Sequence, residues 1–306
     1  VKLPLQLGER FHVRDAASAG IRRGRRDARD LHRPFRGIRA KDEPVTFEDV
    51  VRCYALRMRA THRLVGRSAM RVWGLPLPWP WIQQEELEIA VLPDAAPPRT
   101  SGVRGRRLAA KRAETSTVTG LRVVDPIAAC FSVASELTVD QAVAALDAVV
   151  TIADNYPGLV GPRPMATISE IEEKLLVWGR FPGCRTIHRA VEKVCERVES
   201  PKETETRLLL IDSGLPVPQV QFEVWDGAEH IGRVDLAYPE LKIAIEYEGD
   251  HHRTDKDQWR RDIQRQRRLE ELGWIVIRLT ELDLADNSEA LIARIRDAIA
   301  RRATAA

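Results

Sequence analysis

Residues 233–252 read RVDLAYPELKIAIEYEGDHH, and this stretch decides the reading of the C-terminal third of the chain. It predicts a strand at 230–237 carrying Asp235, a four-residue turn at 238–241, and a second strand at 242–247. Glu246 and Glu248 lie in or just past that second strand, and His251 and His252 follow directly. A carboxylate inside an apolar strand is costly to desolvate unless a cation side chain or a metal partners it. Two carboxylates brought together from adjacent strands make a hard oxygen site suited to Mg²⁺, for which Mn²⁺ can substitute.

The flanking pattern extends in both directions. Residues 203–213 predict a helix stopped by Gly214 and Pro216. Residues 219–225 alternate as a strand, and Asp226-Gly227 is a hairpin turn signal. Residues 255–272 predict a charged helix with Gly273 as its stop, and Trp274–Leu279 (WIVIRL) a buried strand. Asn287 or Ser288 caps a final amphipathic helix with Leu291, Ile295 and Ala298 on one face. The expected order is αβββαβα: a mixed sheet flanked by helices.

At 306 residues the chain is long for one domain, and its 44% apolar content allows a sizeable core. Residues 8–42 predict two short helices, broken at Gly20 and Gly24, and then a strand. That is the order of a small winged helix. Residues 46–58 and 68–73 have helical spacing, 86–92 a strand, 93–102 a loop, 115–124 two strands around Gly120, and 126–136 and 141–153 helices. Two more helices are expected at 169–178 and 185–198. The expected modules are a winged helix at 1–44, a central mixed α/β region at 45–165, a helical connector at 166–199 and the α/β domain at 200–306.

Net charge is only +3, but it is uneven. Residues 1–40 hold ten Arg and one Lys against four acids, and residues 256–268 hold six basic residues against two acids. Such clusters are the usual electrostatic footprint for nucleic acid, although a solvated Arg-rich surface accounts for the first equally well. Cys53, Cys130, Cys184 and Cys195 show no CxxC spacing, which argues against a disulfide framework or a zinc site. With no signal peptide or apolar run of spanning length, the expectation is a cytoplasmic protein with no membrane partner.

SPKETETRLLL at 200–210, GRVDLAYPELKIAIEYEGDHH at 232–252 and RRDIQRQRRLEELGWIVIRL at 260–279 together resemble the PD-(D/E)XK nuclease superfamily. The closer resemblance is to its very-short-patch-repair-like (Vsr-like) branch, and it covers about a third of the chain. It implies a restriction-endonuclease-like fold and Mg²⁺-dependent cleavage of DNA, duplex or structured. Asp235 and Glu246 would be metal ligands, and Glu203 matches the helix glutamate of such nucleases, with Glu205 close by. The alternative for Glu203 is a helix N-terminal acid favoured by the macrodipole. For Asp235 with Glu246 the alternative is an ion pair with Arg233 or Lys242.

The chain departs from the superfamily pattern at 248, where Glu replaces the usual Lys. Glu248 would hold a second metal or act as base, or His251 or His252 would serve as base. Arg261, Arg265 and Arg268 on the basic helix are candidate phosphate contacts, against a solvated face paired to Asp262, Glu270 and Glu271.

FHVRDAASAGIRRGRRDARDLHRPFRGIRA at 11–40 and THRLVGRSAMRVWGLPLP at 61–78 resemble the winged-helix start of abortive-infection-type antitoxin regulators. There Arg22, Arg23, Arg25 and Arg26 would contact DNA phosphates. The sequence reading is therefore a metal-dependent DNA endonuclease of repair or defence. Its rival is a catalytically inactive, antitoxin-like DNA-binding regulator, which the missing Lys favours and the retained carboxylates oppose. No residue favours RNA over DNA, or sets the oligomeric state.

Overall fold

The computed structural model describes residues 7–249 and 256–305. The chain forms two compact units, Val1–Ala145 with Gly158–Glu192, and Leu146–Pro157 with Lys193–Ala306. Among the described residues, no helix is long and apolar enough to cross a membrane.

In the second unit, helix α1 (Pro201–Asp212) starts where the Ser200 hydroxyl accepts the Glu203 N–H at 3.2 Å, with Pro201 at its first position. Strands β1 (Gln219–Asp226) and β2 (Glu229–Tyr238) form the hairpin that Asp226-Gly227 signalled. A single 3₁₀ turn, Pro239–Leu241, with Lys242 left-handed at φ 49°, leads into β3 (Ile243–Tyr247). Helix α2 (Lys256–Glu271) then crosses over to β4 (Ile275–Leu279). The sheet order is β4-β3-β2-β1, with β3 and β4 parallel and the other pairs antiparallel. A parallel pair needs such a crossover, and α2 supplies it. The expected order is found, with one addition: a short helix α3 (Glu281–Ala285), opened by a Thr280 capping box, precedes α4 (Ser288–Ala305).

Alternation along β3 sorts the two cores. Ile243 and Ile245 enter one with Leu210 of α1 and Leu291 and Ile295 of α4. Ala244 enters the other with Leu269 of α2 and Trp274, which is core as expected. Because side chains alternate along a strand, Glu246 lies on the α2 face with Ala244. Its register partner Arg278 on β4 faces the same way.

In the first unit, Arg10–His12 and Ile38–Ala40 form a two-stranded antiparallel sheet around helices Val13–Ser18 and Arg23–Arg26. The second helix, which the sequence predicts over 22–31, stops at Arg26. Arg39 ends it by donating to the Arg26 carbonyl at 2.8 Å and to the Asp27 carboxylate at 2.5 Å. A six-stranded mixed sheet follows, built from Arg99–Thr100, Val103–Arg107, Leu87–Val91, Arg63–Leu64, Leu121–Val124 and Thr115–Val118 in that spatial order. Arg63–Leu64 lies between the two helical runs read at 46–73, now helices Phe47–Ala55 and Gly66–Trp73. Val103–Arg107 follows the expected loop, and the helix expected at 185–198 is Cys184–Val191.

One buried polar cluster holds the second unit together. The Asp147 carboxylate, fully buried, accepts from the Cys195 N–H at 2.7 Å, the Thr204 hydroxyl at 2.8 Å and Arg207 Nη2 at 2.9 Å. It ties segment 146–157 and residue 195 to α1. Removing one partner of a buried ion pair strands the other charge, which costs about 3–5 kcal/mol. Asp147→Ala is therefore expected to destabilise the protein by about that much in chemical denaturation. Asp147→Ala combined with Arg207→Met should lose clearly less than Asp147→Ala alone. Equal losses would mean that the pair is not what anchors α1.

Candidate active site

The site forms where the two central strands part. The β2–β3 ladder pairs Tyr238 with Ile243, Ala237 with Ala244 and Leu236 with Ile245. One step further on, the Asp235 carboxylate takes over: its Oδ2 accepts the Tyr247 N–H at 2.9 Å. On the other side of β2 the ladder to β1 pairs Val234 with Phe222 and Leu236 with Val220, skipping the step between. Gln221 falls in that step with φ 51°, a left-handed backbone that is rare for a non-glycine residue inside a strand. Its buried amide Nε2 donates to Glu203 Oε2 at 2.7 Å.

Glu203 is buried in the first turn of α1. Its oxygens accept from the Ser200 hydroxyl at 2.9 Å and the Glu199 N–H at 3.0 Å as well as from Gln221. It therefore caps the helix and at the same time adds negative charge near Asp235. Burial pushes Glu203 upward, opposed by these three donors. Asp235 is pushed up to about 7, first by burial and then by Glu203 and Glu246, against the pull of the Tyr247 N–H and Arg265.

Glu246, buried on β3, is held by α2. Arg265 donates to it in a fork, Nη1 to Oε1 at 2.6 Å and Nη2 to Oε2 at 3.2 Å. The cation partnering this carboxylate is thus Arg265, not Arg233 or Lys242. Arg233 pairs with Glu199, and Lys242 donates to the Leu272 carbonyl. The route of Arg265 is built into β2, where the pairing with β1 is irregular between His230 and Gly232. A Cβ on Gly232 would meet Arg265 Cδ at 2.7 Å, so the glycine leaves the lane in which the side chain lies. Arg265 Nη1 also donates to the Arg233 carbonyl at 3.0 Å.

Glu248 pairs with Arg278 Nη1 at 2.5 Å, and Arg278 Nε stands 4.0 Å from Glu246 Oε2. That Nε is buried without a hydrogen-bond partner. Arg278 and Gln221 were not singled out from the sequence. Their only signals were a lone charge in WIVIRL and a glutamine in an otherwise ordinary alternating strand.

The remaining candidates are dispersed. Arg268 pairs with Asp226, Glu229 and Glu271 at the hairpin end of the sheet. Arg261 lies exposed on α2, and Glu205 is exposed beside Lys202. His251 and His252 lie outside the described residues. In the first unit, Arg22 and Arg23 are exposed, Arg25 pairs with Asp30 at 2.7 Å, and Arg26 donates to the Val13 carbonyl at 3.0 Å.

Among the described residues, no three His, Cys, Asp or Glu side chains converge closely enough to chelate a metal ion. The donor chemistry nevertheless suits a hard divalent cation. Asp235 has no ion-pair partner among the described residues, and two further carboxylates raise it. Glu246 would be the second ligand, and the Arg265 guanidinium on it would compete with a cation.

The raised Asp235 has a measurable consequence. Its carboxyl titrates near 7 in the fold and near 3.8 otherwise, so the unfolded chain releases this proton first. Stability of the metal-free protein should therefore fall as pH rises from about 4 to about 7. Asparagine can still accept the Tyr247 N–H. Asp235→Asn is expected to stabilise the protein in EDTA at pH 8 by about 1–2 kcal/mol, a discounted share of the ~1.4 kcal/mol per unit that the full shift would give. That gain should vanish near pH 4, and a pH-independent difference would contradict the assignment.

Two curated relatives come from Mycobacterium tuberculosis, the uncharacterized proteins MT2308 (strain CDC 1551 / Oshkosh) and Rv2248 (strain ATCC 25618 / H37Rv). Each is 36% identical over 99 residues, which is 32% of this chain and 36% of the relative. The chain thus spans about a third of the length of the relatives it matches. The crystal structure of the RV2827C protein from M. tuberculosis aligns with 70% of this chain and 80% of its own, at 15% identity and a TM-score of 0.36. Residues 221–299 match the model of the REase_MTES_1575 family, a restriction-endonuclease-like family. That stretch contains Gln221, Asp235, Glu246, Glu248, Arg265 and Arg278, and it makes the C-terminal domain nuclease-like.

Proposed function

We propose that the C-terminal domain is a metal-dependent endonuclease that hydrolyses phosphodiester bonds in DNA, of the Vsr-like branch and serving repair or defence. The observation that carries this reading is Asp235. It is a carboxylate at the parting of two central strands, pushed up to about 7 by burial and by Glu203 and Glu246, inside the stretch matched to a restriction-endonuclease-like family. Mg²⁺, or Mn²⁺ in its place, would be held by Asp235 and Glu246, with Glu203 behind them. When bound, it polarises a phosphoryl oxygen and acidifies water.

The protein residues have separate tasks. Tyr247 N–H fixes the rotamer of Asp235, and Gln221 fixes Glu203. Glu248, His251 or His252 accepts the proton of the attacking water. Arg278, lying between Glu246 and Glu248, brings the positive charge that Lys supplies at position 248 in the superfamily pattern. Arg265, once released from Glu246, faces a backbone phosphate, with Arg261 on the same helix. In the N-terminal unit, read as winged-helix-like, Arg22 and Arg23 make further phosphate contacts.

A second reading, a DNA-binding regulator without catalysis, is favoured by one observation: the forked Glu246–Arg265 pair occupies a ligand carboxylate with a cation from the protein itself. A cleavage assay separates the two. Supercoiled plasmid, linear duplex, mismatched duplex and single-stranded DNA are incubated with Mg²⁺, Mn²⁺ or EDTA. Metal-dependent cutting is expected, with Asp235→Asn and Glu246→Gln each losing about a hundredfold or more. No cutting, together with equal DNA binding by wild type and Glu246→Gln with or without metal, would establish the regulator.

Arg265 gives an independent check. Arg265→Met removes the guanidinium that competes for Glu246, so Mn²⁺ affinity measured by calorimetry without DNA should rise about tenfold. The same variant should bind duplex DNA more weakly, with the salt slope smaller by about one. An unchanged Mn²⁺ affinity would mean that Glu246 does not hold the metal.

A further inference from the structure

The N-terminal unit contains a cleft of about 600 Å³ that the nuclease reading does not use. This is the size of a small-ligand site. One wall comes from the start of helix Val13–Ser18, with His12 and Arg14, and a second from the chain leaving helix Phe47–Ala55, with Arg57, Arg59 and His62. The third is the loop 96–100, with Pro97, Pro98 and Arg99.

This loop is a fixed wall. A Cβ on Gly105 would meet the Pro98 carbonyl oxygen at 2.7 Å and Pro97 Cβ at 2.8 Å, so the loop lies directly on the strand beneath it. Arg99 and Thr100 are also paired to that strand.

The lining is strongly basic. Arg14, Arg57, Arg59 and Arg99 face one acid, Asp15. Arg57 is tethered by donating to the Arg36 carbonyl. Arg14, Arg59 and Arg99 have exposed side chains with no acidic partner among the described residues. Arginines elsewhere in this unit pair with acids, as in Arg25–Asp30, Arg52–Glu48 and Arg71–Glu85.

The two histidines add donors. His12 Nδ1 accepts the Arg14 N–H at 3.0 Å, so in the neutral ring the proton sits on Nε2, which is left to donate. His62 is 6% exposed, and its Nδ1 has no hydrogen-bond partner. An orphaned buried nitrogen at the wall of a cleft is the kind of polar atom that a ligand satisfies. Burial and Arg59 lower its pKa, which keeps the ring neutral beside the arginines.

We infer that this cleft binds a phosphate-bearing ligand, gripped by Arg14, Arg59 and Arg99 with His12 and His62 as hydrogen-bonding partners. Pro97, Pro98 and Leu56 offer an apolar surface for the part that carries the phosphate. The phosphate can belong to a DNA backbone or to a free nucleotide. Neither source requires the C-terminal domain to cut DNA.

The test is calorimetric titration of the full chain with inorganic phosphate, a panel of nucleoside mono- and triphosphates, and a 20-bp duplex. Wild type is compared with Arg59→Ala/Arg99→Ala and, separately, with Arg14→Ala. All substituted side chains are exposed, and circular dichroism with thermal melting checks that the fold is kept. The double variant is expected to lose at least tenfold in affinity for the ligand that occupies the cleft. If that ligand is a nucleotide, one nucleotide should bind well above inorganic phosphate. If it is DNA, duplex affinity should fall and the salt slope should drop by about two, while nucleotides bind no better than phosphate. Affinities for every probe that are the same in wild type and in both folded variants would overturn the inference.

Discussion

The bond from the Tyr247 N–H to Asp235 Oδ2 is the constraint around which the second unit is arranged. A strand N–H at the centre of a sheet must have an acceptor, and the usual one is the backbone carbonyl of its neighbour. Here a side chain provides it. The two strands can therefore part at this step without leaving the Tyr247 N–H unsatisfied. The bond also holds Asp235 in a single orientation near like charges. A carboxylate free to rotate would turn toward water. The skipped β1 step falls beside the point where β2 leaves β3, and there the left-handed Gln221 donates to Glu203.

Much of this unit was legible in the sequence because its elements have strong local signals. The alternation in AIEY and WIVIRL, the Asp-Gly turn, and the glycines at 214 and 273 each act within a few residues. They produced the element order and placed Asp235 and Glu246 on neighbouring strands. The relations that make the site were not legible, because they are long-range. Glu246 and Arg265 are separated by nineteen positions, and their meeting depends on how α2 crosses the sheet and on the missing side chain at Gly232. Nothing in the residue type of Gln221 announces a positive φ. Arg278 acquires its place only from the parallel register of β4 on β3.

The first unit was harder to read for a different reason. Its sheet includes strands of two residues, Arg63–Leu64 and Arg99–Thr100, too short to show any period. Val103–Arg107 has the composition of a basic loop, yet its Arg106 side chain reaches the buried Glu88 on the neighbouring strand. Tertiary partners therefore decide the conformation there. Gly66 makes the same point: its own backbone is left-handed at φ 60°, and a Cβ there would also strike the carboxylate of Glu88, 22 positions away, at 1.5 Å.

Charge balance at the site links the two readings of the C-terminal domain. Two buried carboxylates, Glu203 and Glu246, raise Asp235, and among the described residues the forked guanidinium of Arg265 sits on Glu246 alone. Asp235 is left to relieve its own charge by holding a proton to about pH 7. A domain that only bound DNA would gain nothing from this arrangement, since clustered negative charge repels the phosphate backbone and its burial costs stability. A domain that binds a divalent cation gains from both features. In the proposed reading a proton on Asp235 and the guanidinium on Glu246 would neutralise the metal-free site, and both groups would have to give way to a bound cation. In that reading Arg265 would then be available to a backbone phosphate. Under the proposed metal-dependent reading, the Glu246–Arg265 pair would be the resting form of the site, and exchange of Arg265 for a metal would separate a working nuclease from a silent one.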